Sequence, residues 1–306
     1  MRRVDLFVAI VVYRGGARPI ACVRSLERAL QACPEDAVRL RVVAIDNASG
    51  DGTAQRLASA APWVEVVPLD VNLGFAAGCN TALRRLGSEG YVMLLNPDVE
   101  VDPSFLEELR SLSWPRDLGA IGPLIIGREG AVERSARDFP RWSTDLLWTS
   151  VPAKLLRGGS RLQGDGPPDR SRGAQDVDWI QGACMVMTRT SLTRVGSLDP
   201  KYFMYWEDID WCRRARATGL RIQYQPRLVV RHQQGTSSRA RPFRTIIAFH
   251  RSAFQYWHQE SRSFAASMVV GLALTGRCVL KLAVQAGLLT LRRTASQASE
   301  AQGAIE

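Results

Sequence analysis

Repeated alternation of buried strand and helix over the first hundred residues constrains this chain more than any other feature. Leu6-Phe7-Val8-Ala9-Ile10-Val11-Val12-Tyr13 is an unbroken apolar run rich in β-branched residues. Such a run suits a strand covered on both faces, because a half-exposed strand would alternate apolar with polar. Gly15-Gly16 interrupts it, and a helix is predicted over 18–31. Leu40–Ile45 is a second buried strand, followed by a helix to about Ala60. Val64–Leu69 is a third, followed by a helix over Phe75–Leu86, and Tyr91–Leu95 is a fourth. This order predicts an α/β fold around a mainly parallel sheet flanked by helices. In such sheets ligands bind beyond the carboxyl ends of the strands. The polar segments Asp46–Thr53, Asn72–Gly74 and Asn96–Asp98 all fall on that edge.

Further along, the pattern weakens between 127 and 176, and the glycine-rich stretch 157–175 reads as an exposed mobile loop. Order returns at 178–187, and short strands are expected near 221–225 and 228–232. The first domain is expected to span 1–238, in two halves at 1–126 and 127–238, for which the family resemblance given below implies nucleotide binding and acceptor binding. A basic helical extension follows at 239–306. Net charge is +10, and the excess is concentrated late: from Cys212 to Arg293 there are fifteen Arg or Lys and one acid, Glu260. That bias implies an anionic partner. The six cysteines show no metal-ligand spacing, so reduced thiols in a cytoplasmic protein are expected. The short apolar segment after Met1 does not read as a signal peptide.

Chemistry concentrates in Phe203-Met204-Tyr205-Trp206-Glu207-Asp208-Ile209-Asp210-Trp211-Cys212-Arg213-Arg214. Aromatic walls raise a carboxylate's pKa towards neutrality, which makes a general base. The alternative is a helix with acids in its first turn and bases in its last, as the helix dipole favours. Asp46 can accept hydrogen bonds from a base or a ribose hydroxyl, or close an Asx turn. Asn72 and Gly74 precede a helix N-terminus that can meet a phosphate; close helix–strand packing would also call for small residues there. Asp98, after Asn96-Pro97, is placed to hold a divalent cation or simply to turn the chain. His232 is a lone imidazole that suits a manganese-class ion or a structural role.

The order and spacing of these segments carry a resemblance. Asp46-Asn47-Ala48-Ser49, Asn72-x-Gly74-Phe75-Ala76-x-Gly78-x-Asn80, Asn96-Pro97-Asp98, Gly182-Ala183, the 203–214 stretch and His232 together resemble the inverting glycosyltransferases of family 2, most of all the bacterial rhamnosyltransferase branch. The resemblance covers roughly Val4 to Ser252. It implies a GT-A fold, a nucleoside-diphosphate sugar donor (dTDP-rhamnose by resemblance) and a divalent cation, Mg2+ or Mn2+. It implies Asp208 as the base with Glu207 beside it. Asp46, Asn72, Gly74 and Asn96 would border the nucleotide, and Asp98 and His232 would hold the metal. Asp210 and Arg214 would brace the helix. Two departures stand out: Asn96 replaces the first carboxylate of an Asp-x-Asp pair, and Arg14 stands where the family often has Asn.

The end of the chain reads as an interfacial amphipathic helix over 264–293, with Arg277, Lys281, Arg292 and Arg293 as cationic anchors. Its uncharged run is shorter than the ~20 residues a bilayer span needs. The expected setting is the inner face of the cell membrane, with a glycan or polyprenyl-diphosphate-linked acceptor. The alternative is a helix packed on the core or in a homo-oligomer interface. Two other readings were weighed. A sugar nucleotidyltransferase would carry a Gly-rich basic loop after the first strand, faintly echoed by Arg14-Gly15-Gly16. A nucleic-acid binder would carry a reading motif, which the basic tail lacks.

Overall fold

The computed structural model describes residues 3–141, 170–233, 242–261 and 263–303. Strands β1 (Val4–Val12), β2 (Val38–Asp46), β3 (Glu65–Pro68) and β4 (Tyr91–Leu95) alternate with helices α1 (Arg18–Gln31), α2 (Thr53–Ala60) and α3 (Phe75–Leu83). β1 lies between β2 and β4, parallel to both, and β3 extends the sheet beyond β2. Every residue of β1 except Asp5 is buried, as its unbroken apolar run requires.

The chain continues through β5 (Val99–Val101), α4 (Phe105–Ser111), β6 (Leu118–Ile126), β7 (Ala136–Arg137), β8 (Gln175–Val177), β9 (Trp179–Ile180), β10 (Cys184–Thr188), α5 (Arg189–Val195), α6 (Glu207–Ala217) and β11 (Arg221–His232). The main sheet runs β3-β2-β1-β4-β10-β6-β11-β5, with β8 paired to β11. β10 is antiparallel to both β4 and β6, so those two run the same way, and β11 is parallel to β6. Six of these nine strands therefore share one direction, and β5, β8 and β10 oppose it. The expected α/β architecture is present, with antiparallel strands inserted in its second half.

Two local expectations are corrected. The short strands near 221–225 and 228–232 are one strand, β11, with a register shift between Gln225 and Val229. Pro226 lies in that interval, and lacking an N–H it suits a break in the ladder. Of the loop expected over 157–175, residues 157–169 lie outside the described residues; Arg170–Arg172 form a 3-10 turn and Gln175 opens β8.

The chain divides into two compact units. The first holds described residues 3–140 and 170–233; the second includes 242–261 and 263–303. In the second, α7 (Pro242–Glu260) and α8 (Phe264–Gly303) form an antiparallel hairpin. His258 Nδ1 lies 3.1 Å from Ser267 Oγ near the turn. Farther along, the Arg277 guanidinium and the Lys281 ammonium sit 5.9 and 5.8 Å from the centre of the Phe249 ring. Both cations thus turn towards α7, while Phe264, Met268, Leu272 and Val279 are exposed at helical spacing on the other side. Arg277 and Lys281 are therefore not outward anchors as expected: cation–π contact with Phe249 turns them inward. The side chains of Arg292 and Arg293 lie outside the described residues. Phe264–Gly287, 24 residues, is long and apolar enough to cross a membrane by length and composition with Arg277 and Lys281 included, while the uncharged run still ends before Arg277.

Candidate active site

The carboxyl ends of β1, β2, β4, β6 and β11 open on one edge of the sheet. Asp46 closes β2, Asn96 and Asp98 follow β4, and His232 closes β11. β10 runs against them and so begins at this edge, where the Asn96 N–H donates to Ala183 O at 2.8 Å. β2 and β4 flank β1, which puts Asp46 and Asn96 about two strand spacings, ~10 Å, apart.

Asp46 lines a cleft of about 480 Å³ with Gln55, Leu69 and Asp70. Its Oδ1 accepts the Ser49 N–H at 3.3 Å, while the Thr53 N–H at the start of α2 goes to Asp51. The neighbouring Asn47 acts as a latch that sequence reasoning missed: its amide donates to Gly74 O at 2.9 Å and its Oδ1 accepts the Leu73 N–H at 2.8 Å. Arg14 sits over the same loop, donating from Nε to Ser49 O at 3.1 Å.

The 72–75 turn is spent largely on the protein itself. Asn72 Oδ1 accepts the Gly74 N–H at 2.9 Å, and the Phe75 N–H donates to Phe203 O at 2.6 Å. A Cβ on Gly74 would meet Phe203 O at 2.2 Å, and its φ of +85° with ψ −179° is a backbone region nearly closed to other residues. Gly78 is small for a different reason: a Cβ there would lie 2.9 Å from Val11 Cγ1 of β1. Both glycines thus have packing reasons, and Gly74 ties this turn to the acidic segment.

Tyr205 and Trp206 follow Phe203 with φ of +70° and +72°, left-handed conformations that are uncommon for bulky residues. They deliver Glu207 and Asp208 as the first residues of α6. Asp208 Oδ2 accepts the Gly182 N–H at 2.8 Å, and its Oδ1 accepts the Ile209 N–H at 2.9 Å. Burial raises its pKa, while those two N–H groups and the Arg137 cation pull it back down. Glu207 is buried, with Oε2 lacking a hydrogen-bond partner. Burial first, and then the Asp208 charge, push its pKa well above the usual carboxylate range. In this pair Asp208 has the donors that favour an ionised carboxylate and Glu207 has the surroundings that keep a proton. Burial first, then the Glu207 and Asp98 carboxylates, raise the Tyr205 pKa. Behind them, Arg214 donates to Asp210 Oδ2 at 2.8 Å and to Val195 O and Ser197 O, the bracing role expected of that pair.

His232 Nε2 lies 3.3 Å from Asp98 Oδ1, and its Nδ1 lies 3.3 Å from Glu133 Oε2. Burial disfavours the charged imidazole, but the two carboxylates outweigh burial and push the pKa up to about 9. Glu133 was missed in the sequence because it lies in a weakly patterned turn. Its backbone N–H donates to Ile125 O at 2.9 Å, which fixes it beside the end of β6. Among the described residues no three His, Cys, Asp or Glu side chains form a ready metal cage. The donor set nevertheless fits a divalent cation. An oxygen and an imidazole nitrogen face each other, and a carboxylate on the far ring nitrogen sets the tautomer.

Two family models match: glycosyl transferase family 2 over residues 8–144, and glycosyltransferase like family 2 over 165–251. N-acetylglucosaminyl-diphospho-decaprenol L-rhamnosyltransferase of Mycobacterium tuberculosis is 31% identical over 232 residues, 70% of this chain and 73% of that protein. The chain belongs to glycosyltransferase family 2. Rhamnosyltransferase WbbL of Escherichia coli is 35% identical over 184 residues, 59% of this chain and 57% of the relative. Among solved structures, mannosyltransferase PcManGT from Pyrobaculum calidifontis in complex with GDP-Man and Mn2+ has a TM-score of 0.52 at 18% identity, covering 100% of this chain and 82% of that one. GalNAc-T7 with UDP, GalNAc and Mn2+ also gives 0.52, at 15% identity, covering 76% of this chain and 44% of that one. These two support the GT-A fold. Family 2 membership makes the chain a glycosyltransferase, similar to the two rhamnosyltransferases above, and sets aside the nucleotidyltransferase and nucleic-acid-binding readings.

Proposed function

We propose that this enzyme moves a sugar, with inversion, from a nucleoside-diphosphate donor to a hydroxyl of a lipid-diphosphate-linked acceptor in cell-surface polysaccharide synthesis. The observation that carries this reading is the gathering of Asp46, Asp98, Glu207, Asp208 and His232 at one edge of the sheet. Asp208 takes the proton of the attacking hydroxyl; its two backbone N–H partners hold the carboxylate ready and aimed. The hydroxyl oxygen then attacks the anomeric carbon opposite the leaving diphosphate, and the proton stays on Asp208. Glu207 keeps its own proton and so leaves the single negative charge on its neighbour. Asp46 contacts the base or ribose in its cleft. Asn72 and Gly74 shape the edge of the nucleotide site, and Asn96 borders the diphosphate.

Asp98 and His232 would hold a divalent cation, Mg2+ or Mn2+, with Glu133 orienting the imidazole. When bound, the cation neutralises charge growing on the leaving diphosphate. Supporting this, two solved neighbours of the same fold are complexes with Mn2+ and a nucleotide or nucleotide sugar. The named activities of the relatives support a rhamnosyl group, and one of them a diphospho-lipid acceptor; dTDP as the carrier rests on the family resemblance. A hydroxyl on such an acceptor lies at a bilayer surface, and the exposed apolar side of α8 suits peripheral attachment to the inner face of the membrane.

The direct test is incubation with a panel of nucleotide sugars and a diphospho-lipid acceptor, scored by mass spectrometry. Release of nucleoside diphosphate with a glycosylated product is expected; release of pyrophosphate or no product from any donor would defeat the reading. Asp208→Asn is expected to fold and bind donor normally and to lose roughly 10²–10⁴ in kcat. Near-wild-type turnover would remove Asp208 from the role.

A further inference from the structure

We infer that Arg137, stacked on Trp179 and supported by Arg213 on Phe139, forms a binding site for the diphosphate of the acceptor. The inference rests on the acceptor class proposed above and goes further by naming what reads it.

Position is the first argument. β7 and β9 form a separate two-stranded ribbon in which Arg137 pairs with Trp179 and Ala136 with Ile180. Three residues after Trp179 comes Gly182, whose N–H holds the Asp208 carboxylate. Three extended residues span about 10 Å. The Gln181 N–H donates to Ser135 O at 2.8 Å, so the path between the two is fixed to the ribbon. Arg137 is also the cation whose field reaches the Asp208 carboxyl. In a diphospho-lipid acceptor the attacking hydroxyl and the diphosphate sit on one sugar ring. The base and the guanidinium are both tied to the 179–182 segment, so the two ends of one acceptor sugar can meet them.

Chemistry is the second. The Arg137 guanidinium lies 5.4 Å from the Trp179 ring centre, and its Nε donates to Arg134 O at 3.1 Å. Trp179 is buried and its indole N–H is spent on Asp138 O at 2.9 Å, so the ring is a fixed platform beneath an exposed cation. Arg213, on α6, lies 5.9 Å from the Phe139 ring centre. Phe139 and Trp179 belong to the same ribbon: the Phe139 N–H donates to Asp178 Oδ2 at 2.8 Å, and the Asp178 N–H donates to Arg137 O at 3.2 Å. Stacked guanidinium planes present paired N–H groups to phosphate oxygens, which an ammonium cannot do. A neutral glycan would gain nothing from two such groups beside the base.

The diphosphate could in principle come from donor or acceptor, and kinetics with two acceptors separates the sources. The full chain would be assayed with one sugar carried either as a short-chain prenyl diphosphate or as a neutral octyl glycoside. Arg137→Ala is expected to raise KM for the diphosphate acceptor roughly 10–100-fold, as loss of charge-assisted hydrogen bonds does. KM for the neutral glycoside and for the donor should stay unchanged. Arg137→Lys should recover only part of the loss, and Arg213→Ala should shift KM the same way by less. An equal penalty on both acceptors would make Arg137 merely structural, and a raised donor KM would assign it to the leaving group; either result overturns the inference. Should Arg137→Ala fail to fold, competition by inorganic pyrophosphate against the diphosphate acceptor, weakened in Arg137→Lys, decides the matter. Wild-type enzyme that turns over the two acceptors equally well would sink the acceptor reading itself. That outcome is distinct from a wild-type preference for diphosphate that Arg137 does not influence.

Discussion

Two titrating groups at the site make predictions of opposite sign. Asp208 is raised by burial, and the reaction needs it ionised. The acid limb of kcat/KM should therefore lie above the range of an exposed carboxylate, with activity falling as pH drops through the raised value. A pH–rate profile whose limb sits at an ordinary carboxylate pKa would contradict the burial argument. His232 runs the other way in the metal-free protein. Its pKa rises from 6.5 to about 9, so its contribution to stability is complete below the unfolded value and is lost as pH climbs through about 9. A shift of that size corresponds to about 3 kcal/mol. Urea denaturation in chelator at about pH 6 and about pH 10 should show this loss in the wild type and little of it in His232→Gln. At this scale the sequence singles out Asp208, Asp98 and His232, and the structure brings Asp98 and His232 within 3.3 Å of each other. Glu133 and Asn47 were not legible, because their roles depend on partners 99 and 27 residues away, His232 and Gly74.

Elements show why the turns matter as much as the strands. Gly74 does not free the start of α3 for a ligand; it lets the backbone of Phe203 come close enough to accept the Phe75 N–H. Gly74→Ala places a Cβ against a backbone oxygen and in a glycine-only conformation at once. A loss of about 3 kcal/mol or more is expected in chemical denaturation, accompanied by reduced activity, because the displaced segment carries Asp208. A loss under about 1 kcal/mol would show that the 203 segment moves freely. The first four strands were readable because each is buried on both faces and uninterrupted. β6, fully buried but for its last residue, was passed over because its glycines and proline, Gly119, Gly122 and Pro123, break the apolar run. β11 was divided in two for a related reason: Pro226 looks like an end in one dimension but is only a bulge in a sheet.

For the molecule as a whole, α8 turns Arg277 and Lys281 towards Phe249 of α7 and leaves Phe264, Met268, Leu272 and Val279 exposed. Burying exposed apolar area contributes roughly 25 cal/mol per Å². On the proposed membrane attachment, the exposed stripe of Phe264, Met268, Leu272 and Val279 is the surface that meets hydrocarbon. In flotation with anionic vesicles the full chain should rise with the lipid, and Met268→Glu/Leu272→Glu should remain at the bottom while keeping activity on a soluble acceptor. Equal flotation of the two would assign the apolar stripe to something other than the bilayer.

The sequence by itself determined the α/β order and the sheet edge to which Asp46, Asn96, Asp98 and His232 are brought. Those follow from local rules: strand burial shows as apolar runs, and a parallel sheet sends the residues after its strands to one edge. Only the tertiary structure set the two carboxyls of the Glu207–Asp208 pair apart, giving Asp208 two backbone N–H donors and leaving Glu207 Oε2 buried without one. It also decided which residues steady His232, why Gly74 must be glycine and which way Arg277 and Lys281 point. Each of those depends on what a distant segment places within a few ångströms, and a pKa, a tautomer or a buried face is a property of that neighbourhood rather than of the residue that carries it.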